Sequence, residues 1–467
     1  MRRIRRHLTD LRAVVPIAAA TVAIAFVVGA SPAAAAWSSP VTVSDATGTQ
    51  NGWTAENPQV AVDPHGNAIF TWAALDPYDS CDCQTWAIEA RTRSSAGTLG
   101  PILSLTTGAD AISPQVAVDG NGNAMFTWRH YDGSHWRIQE RRLSSSGTLG
   151  PIQTLSAAGQ DAFGPQVAVN GKGKAAFAWR RYDGHHMRIQ GRTRSTSGSL
   201  GPVETLSSAS QNAFSPDVAI GPQGGAVFAW SRFVPTSNAC CEKIEDRGLS
   251  ADGRLGAVQT VSPPPGPQNF YNPEIHLDAQ AKALIAWRVE DDTSDMYNVL
   301  GGVEVRSRSA TGTLGPVQSV QDGYYVYGKD FAMNSKGYAV FGWSEAAGHA
   351  DPPPFAWARA RTPAGKLRSY HVVSYKTGGD SADDAPVVGV DDSGKAVLIF
   401  HRWAEWDTQS GGIGAITLSS TDHLGPLQTL SATGSNPVVA ENGAGNAAAG
   451  WIETQGNDVV IKASTGP

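Results

Sequence analysis

Short apolar runs alternate with polar turns along most of this chain, and the alternation has a period. The segment Pro114-Gln-Val-Ala-Val-Asp119-Gly-Asn-Gly122-Asn-Ala-Met-Phe-Thr-Trp128 shows it: an apolar strand, an Asp-Xaa-Xaa-Gly turn, and a second strand ending in Trp. Apolar runs this short, bounded by Gly and Asp, predict strands. Aligned on the turn, the pairs are Gly66 and Trp72, Gly122 and Trp128, Gly173 and Trp179, Gly224 and Trp230, Ala281 and Trp287, Gly337 and Trp343, Gly394 and Phe400, Gly445 and Trp451. These eight units are 51 to 57 residues apart. The first strand opens on Pro58, Pro114, Pro165, Pro216, Pro273, Pro386 or Pro437, with Lys329 in the remaining unit.

Each unit has a second half. A polar strand such as Arg137-Ile-Gln-Glu-Arg-Arg-Leu143 leads to Gly147-Thr-Leu-Gly-Pro151 and a short apolar strand, Ile152-Gln-Thr-Leu-Ser156. Four strands per unit at this period predict an all-β chain, an eight-bladed β-propeller of four-stranded antiparallel blades. The eighth unit stops after its third strand, Asp458-Val-Val-Ile-Lys-Ala463. Its missing outer strand stands at the other terminus, in Trp37-Ser-Ser-Pro40-Val-Thr-Val-Ser44. The N-terminal strand is therefore expected to complete the last blade and close the ring.

Residues 1–36 read as a signal peptide. Arg2, Arg3, Arg5, Arg6 and Arg12 form a basic head, Ala13 to Ala30 is apolar, and Ala34-Ala35-Ala36 is a small-residue cleavage site. The alternative is an uncleaved anchor. Residues 37–467 read as a single propeller domain. Cleavage takes the net charge from −6 to −10, because five Arg and one Asp leave. An acidic exported product is not suited to nucleic acid, and a secreted monomer is expected, with no membrane span once the signal is removed. Cys81, Cys83, Cys240 and Cys241 predict disulfides in an oxidising compartment, formed within each loop or between the two loops.

The recurring residues read as structural. A Trp at one place in nearly every unit is expected to wedge between neighbouring sheets. Asp63, Asp119, Asn170, Asp278, Asn334, Asp391 and Asn442 stand where a side-chain oxygen can bond the backbone two residues on. A calcium loop at Asp119 fails, because Ala124 replaces the required Gly and His130 the bidentate Glu. Nothing in the sequence points to a cofactor or a metal.

The repeat Val-Ala-Val-Asp-Xaa-Xaa-Gly-Asn followed by a second strand and an aromatic resembles that of NHL-type and related secreted bacterial β-propellers. It is also similar to sialidase-like propellers. In sialidases an arginine triad binds a substrate carboxylate. Arg129, Arg180 and Arg288 directly follow the repeat Trp here, but no Tyr–Glu nucleophile pair can be placed. The resemblance implies the fold class and not the activity.

Variation is concentrated in the loops between second and third strands, and variable loops on a rigid scaffold are where binding is expected. The second and third units are richest, giving Tyr131, Asp132, His135, Trp136, Arg181, Tyr182, Asp183, His185 and His186 as ligand-binding candidates. No catalytic residue can be chosen: there is no nucleophile elbow, His-Glu-Xaa-Xaa-His or phosphate loop. The first reading is thus a noncatalytic binding or scaffold protein engaging an extracellular glycan or protein. The alternative is an extracellular glycan-processing hydrolase or lyase, sialidase-like.

Overall fold

In the computed structural model of the protein, residues 36–44, 54–76, 85–107, 110–235, 240–264, 268–291, 301–322, 325–346, 355–374, 385–404 and 407–466 are described. Every regular element among them is a strand. The second repeat is representative, with strands Ala111–Val118, Ala124–Tyr131, Trp136–Leu143 and Gln153–Thr154. Each pairs antiparallel with the next, Val118 opposite Ala124 and Tyr131 opposite Trp136. Six sheets have this form. The remaining strands make two such groups, joined by one parallel pairing of Thr54 with Val459. The later group takes its fourth strand from the start of the chain: Val41–Thr42 runs antiparallel to Asp458–Gly466, with Val41 opposite Ala463. The fold is all-β, of repeated four-stranded antiparallel sheets in the propeller manner.

Both faces of a sheet are apolar, so the core lies between sheets. Ile88 and Phe126 share one cluster across the first two repeats, and Ile138 and Phe177 share another across the second and third. A further cluster joins the first repeat to the last, with Phe70 and Trp72 against Ala448, Ile461 and Ala463. Trp72, Trp128, Trp179, Trp230, Trp287, Trp343 and Trp451 are fully buried wedges, as expected. Each indole N–H donates to a Glu or Gln, for example Trp179 to Gln190 at 3.2 Å and Trp230 to Glu245 at 3.1 Å. A buried Trp thereby satisfies its one donor.

The turn residues behave as Asx caps. Oδ1 of Asp63, Asp119, Asn170, Asp278, Asn334, Asp391 and Asn442 accepts the N–H groups two and four residues on, at 2.8–3.1 Å. Turns also bond to their neighbours: Asn170 Nδ2 donates to Gly221 O, and Asn442 Nδ2 donates to Asp63 O at 2.7 Å.

An arginine clamp binds the outer rim. Nε of Arg91, Arg141, Arg192, Arg247, Arg306 and Arg359 donates to a carbonyl nine residues on, in the turn leading to the outer strand. Nη1 of each reaches back to a carbonyl at the end of the preceding repeat's outer strand, Leu155 O for Arg192 and Val43 O for Arg91.

Inner strands carry a bulge at the residue before Pro. Asn57, Ser113, Ser215, Asn272 and Asn436 have φ of 48–58° there, a region uncommon for residues other than Gly. The inner strand has one extra residue at each bulge, which re-aims the side chains just before it. The stretch through residue 35, expected to be a signal peptide, and Cys81 and Cys83 lie outside the described residues. Cys240 and Cys241 open the strand Cys240–Leu249, opposite Pro235 and Val234.

Candidate functional site

The loops of the second and third repeats are built alike. Asp132 Oδ1 accepts from Ser134 N and His135 N, and Oδ2 pairs with Arg137 at 3.0 Å. Asp183 Oδ1 accepts from His185 N and His186 N, and Oδ2 pairs with Arg188 at 3.0 Å. The backbone bonds, led by His135 and His186, hold both carboxyls down at about 2. Gly133 and Gly184 take φ of 93° and 98°, which the turn requires. These two aspartates therefore shape their loops. Tyr182 OH donates to Gly184 O, and Arg181 Nη2 donates to Ala158 O. Tyr131 and Tyr182 are exposed. Of the nine candidates, Tyr131 and Trp136 meet as a tilted aromatic pair, centroids 5.4 Å apart.

Trp136 also lines a cleft of about 360 Å³ between the first and second repeats, with Glu56, Asn57, Trp86, Asp110 and Ile112. Trp86 and Trp136 hold matching places at the start of the third strands Thr85–Arg93 and Trp136–Leu143. Glu56 and Asn57 precede Pro58 on one bulged inner strand, and Ile112 has the place of Glu56 on the next. Asp110 occupies a position that elsewhere is structural. Asp161 accepts Trp136 N, Asn212 accepts Met187 N, and Asn269 accepts Glu242 N, each fastening the previous repeat's third strand. The Asp110 carboxylate makes no such bond, and among the described residues neither it nor Glu56 has a side-chain hydrogen-bond or ion-pair partner. Two indoles and two free carboxylates thus line one concave surface, offering apolar area for a ring and groups that can move protons beside it.

Other carboxylates are engaged by the scaffold. Asp217 accepts Ile275 N, Glu274 accepts Phe331 N, and Asp330 accepts Val388 N, each satisfying the edge of the following inner strand. Burial pushes Asp217 up to about 7 and Asp330 upward too.

Next to the cleft, on the side of the third repeat, Arg129 stacks over Trp136 with its guanidinium carbon 4.1 Å from the ring centroid. Arg129 and Arg180 both approach the Phe163 ring, at 5.2 and 5.5 Å. Arg288 is held apart, paired with Glu290 and over Tyr271, so the three arginines do not converge. The sequence reading missed Glu56, Trp86 and Asp110. In sequence Asp110 looks like Asp161, Asn212 and Asn269, and only the missing bond to the third strand sets it apart; Glu56 stands where other repeats have Ile112, Phe163, Phe214 and Tyr271.

No family model matches the chain, and no curated protein matches it. Solved structures do. A protein of unknown function from Dyadobacter fermentans is 9% identical over 93% of this chain and 99% of its own, with a TM-score of 0.42. An α-L-arabinanase from Penicillium chrysogenum, complexed with arabinobiose, is 12% identical over 67% of this chain and 94% of its own, TM-score 0.40. An ulvan lyase from a new polysaccharide lyase family is 10% identical over 82% and 94%, TM-score 0.44. The likeness is one of fold. Two of these neighbours are by name glycan-processing enzymes, the class of the alternative reading and not of the noncatalytic binding or scaffold expectation.

Proposed function

We propose that the protein is an exported glycan-processing enzyme, a hydrolase or a lyase, acting in the cleft between its first two repeats. The observation that carries this reading is the cleft's lining. Trp86 and Trp136 offer stacking area for sugar rings at small entropic cost. Glu56 and Asp110 supply an acid–base pair. In hydrolysis one carboxylic acid would protonate the leaving oxygen, while the other carboxylate activates water or attacks the anomeric carbon. In elimination one would remove a proton from the sugar ring and the other would protonate the leaving oxygen.

We read residues 37–467 as one domain, an eight-bladed closed ring. The contacts between first and last repeats support this: the shared cluster around Phe70, the bond from Asn442 to Asp63, and the pairing of Val41 with Ala463. The ring would hold the two sides of the cleft, one from each of two blades, at fixed separation.

The test incubates the protein lacking residues 1–36 with a panel of plant and algal polysaccharides. New reducing ends report hydrolysis, and ultraviolet-absorbing unsaturated ends report elimination. Glu56→Gln and Asp110→Asn should each lower turnover by roughly 10²–10⁴-fold with the fold intact. No product from any polysaccharide, or full turnover in both variants, would refute the assignment.

A further inference from the structure

The cleft does not account for Arg129 and Arg180. Several other arginines on this face have partners: Arg137 has Asp132, Arg188 has Asp183, Arg232 has Glu245, and Arg181 has the Ala158 carbonyl. Arg129 and Arg180 make neither a hydrogen bond nor an ion pair among the described residues. The Nε of each is sealed from solvent without an acceptor. Burial, and then the charge of Arg180, pull the Arg129 guanidinium below its ordinary value, with Asp161 opposing. Two half-buried cations kept near each other on a shared phenyl ring are costly unless an anion joins them. The opposing carboxylate, Asp161, accepts Trp136 N at 2.8 Å and forms an ion pair with neither guanidinium.

The placement matters as much as the charge. The cleft lies on the first-repeat side of Trp136, and Arg129 lies over the same indole toward Phe163 of the third repeat. A chain of sugars stacked on Trp136 would continue from the cleft onto the arginines.

We propose that Arg129 and Arg180 form a subsite for the anionic substituent of a polysaccharide, a carboxylate or sulfate on a sugar neighbouring the one held in the cleft. This rests on the glycan-processing reading and narrows it to acidic polymers. Guanidinium forks match the oxygens of both groups. The arginines act by positioning, since the reacting sugar sits with Glu56 and Asp110.

The experiment measures binding directly, by calorimetry, on the protein lacking residues 1–36. The probes are three oligosaccharides of equal length: an oligogalacturonate, a sulfated galactan and a neutral galactan. At least one anionic probe should bind more tightly than the neutral one and weaken as salt is raised. Arg129→Gln and Arg180→Gln should each weaken it roughly ten- to a hundredfold while leaving the neutral probe unchanged. Arg129→Lys, which keeps charge and stem, should recover part of the loss and guards against misfolding of the Gln variant. Equal binding of neutral and anionic probes, binding of none, or anionic binding indifferent to Arg180→Gln in a folded variant overturns the proposal. Anionic binding without cleavage would instead count against the enzyme reading alone, and cleavage confined to neutral glycans against the arginine subsite alone.

Discussion

Replacing Glu441 by Val should stabilise the protein, and increasingly so as pH rises. At the last residue of the inner strand the other repeats have Val62, Val118, Val169, Ile220, Leu277, Met333 and Val390, each opposite the Ala that opens the second strand. Glu441 keeps that register opposite Ala447. Its side chain is 0% exposed, and neither carboxylate oxygen has a well-formed hydrogen bond, the Val397 N–H offering only a weak one. The nearest cation, Lys395 Nζ, is 3.9 Å away and itself 31% exposed. Burial outweighs that attraction and pushes the carboxyl from 4.5 up to about 8. The unfolded chain thus releases this proton near 4.5 and the folded chain only near 8, so wild-type stability falls as pH rises through that window. The shift costs about 3 kcal/mol at pH 7 and levels off at ~5 kcal/mol above pH 8, where the buried group itself ionises. Valine removes the titration and keeps the apolar contacts, whereas Gln would leave an unsatisfied amide. Urea unfolding at pH 4.5, 7 and 8.5 measures it: wild type and variant should be close at the lowest pH and diverge upward. Asp217 adds pH dependence of the same sign to both proteins, so the difference isolates Glu441. Parallel pH profiles, or a variant less stable than wild type at pH 8.5, would refute the reasoning.

Trp179→Ala should cost about 3–5 kcal/mol, because it empties a fully buried wedge and leaves the Gln190 carbonyl without its indole donor; urea unfolding with near-ultraviolet circular dichroism would show it. Deleting residues 37–44 should lower the melting temperature and expose Asp458–Gly466 to rapid hydrogen exchange, since Val41 and Thr42 pair with that strand; unchanged exchange there would count against the pairing.

The scaffold was legible because its determinants are local and repeat. An Asp or Asn three residues before a Gly is enough for the Asx turn, and Trp at one offset in seven repeats announces a packing role. The N-terminal strand could be placed because Trp37–Ser44 matches the missing segment of the eighth repeat. The rim arginines recur at a fixed offset and were readable in principle, but their acceptors are backbone carbonyls that carry no sequence signature. The site was harder. Glu56 and Trp86 belong to one repeat, Asp110 and Trp136 to the next, and their convergence depends on sheet stacking and on the bulges at Asn57 and Ser113. Asp132 and Asp183 looked like ligand groups because turn-forming and ligand-binding aspartates look alike in sequence; only their bonds to His135, His186, Arg137 and Arg188 separate the two.

The pairing of Val41–Thr42 with Asp458–Gly466 also sets an order of events. Most contacts in this chain form within a repeat or between consecutive repeats, so they can assemble progressively. The bond from Lys462 to Thr42 spans 420 residues. Bringing such distant segments together is slow relative to local pairing. During synthesis the strand Val41–Thr42 is made some 420 residues before its partner and must stay unpaired until that partner exists. Its edge is then a hazard for premature pairing with another copy, and Pro40 and the shortness of the strand blunt that edge during the wait.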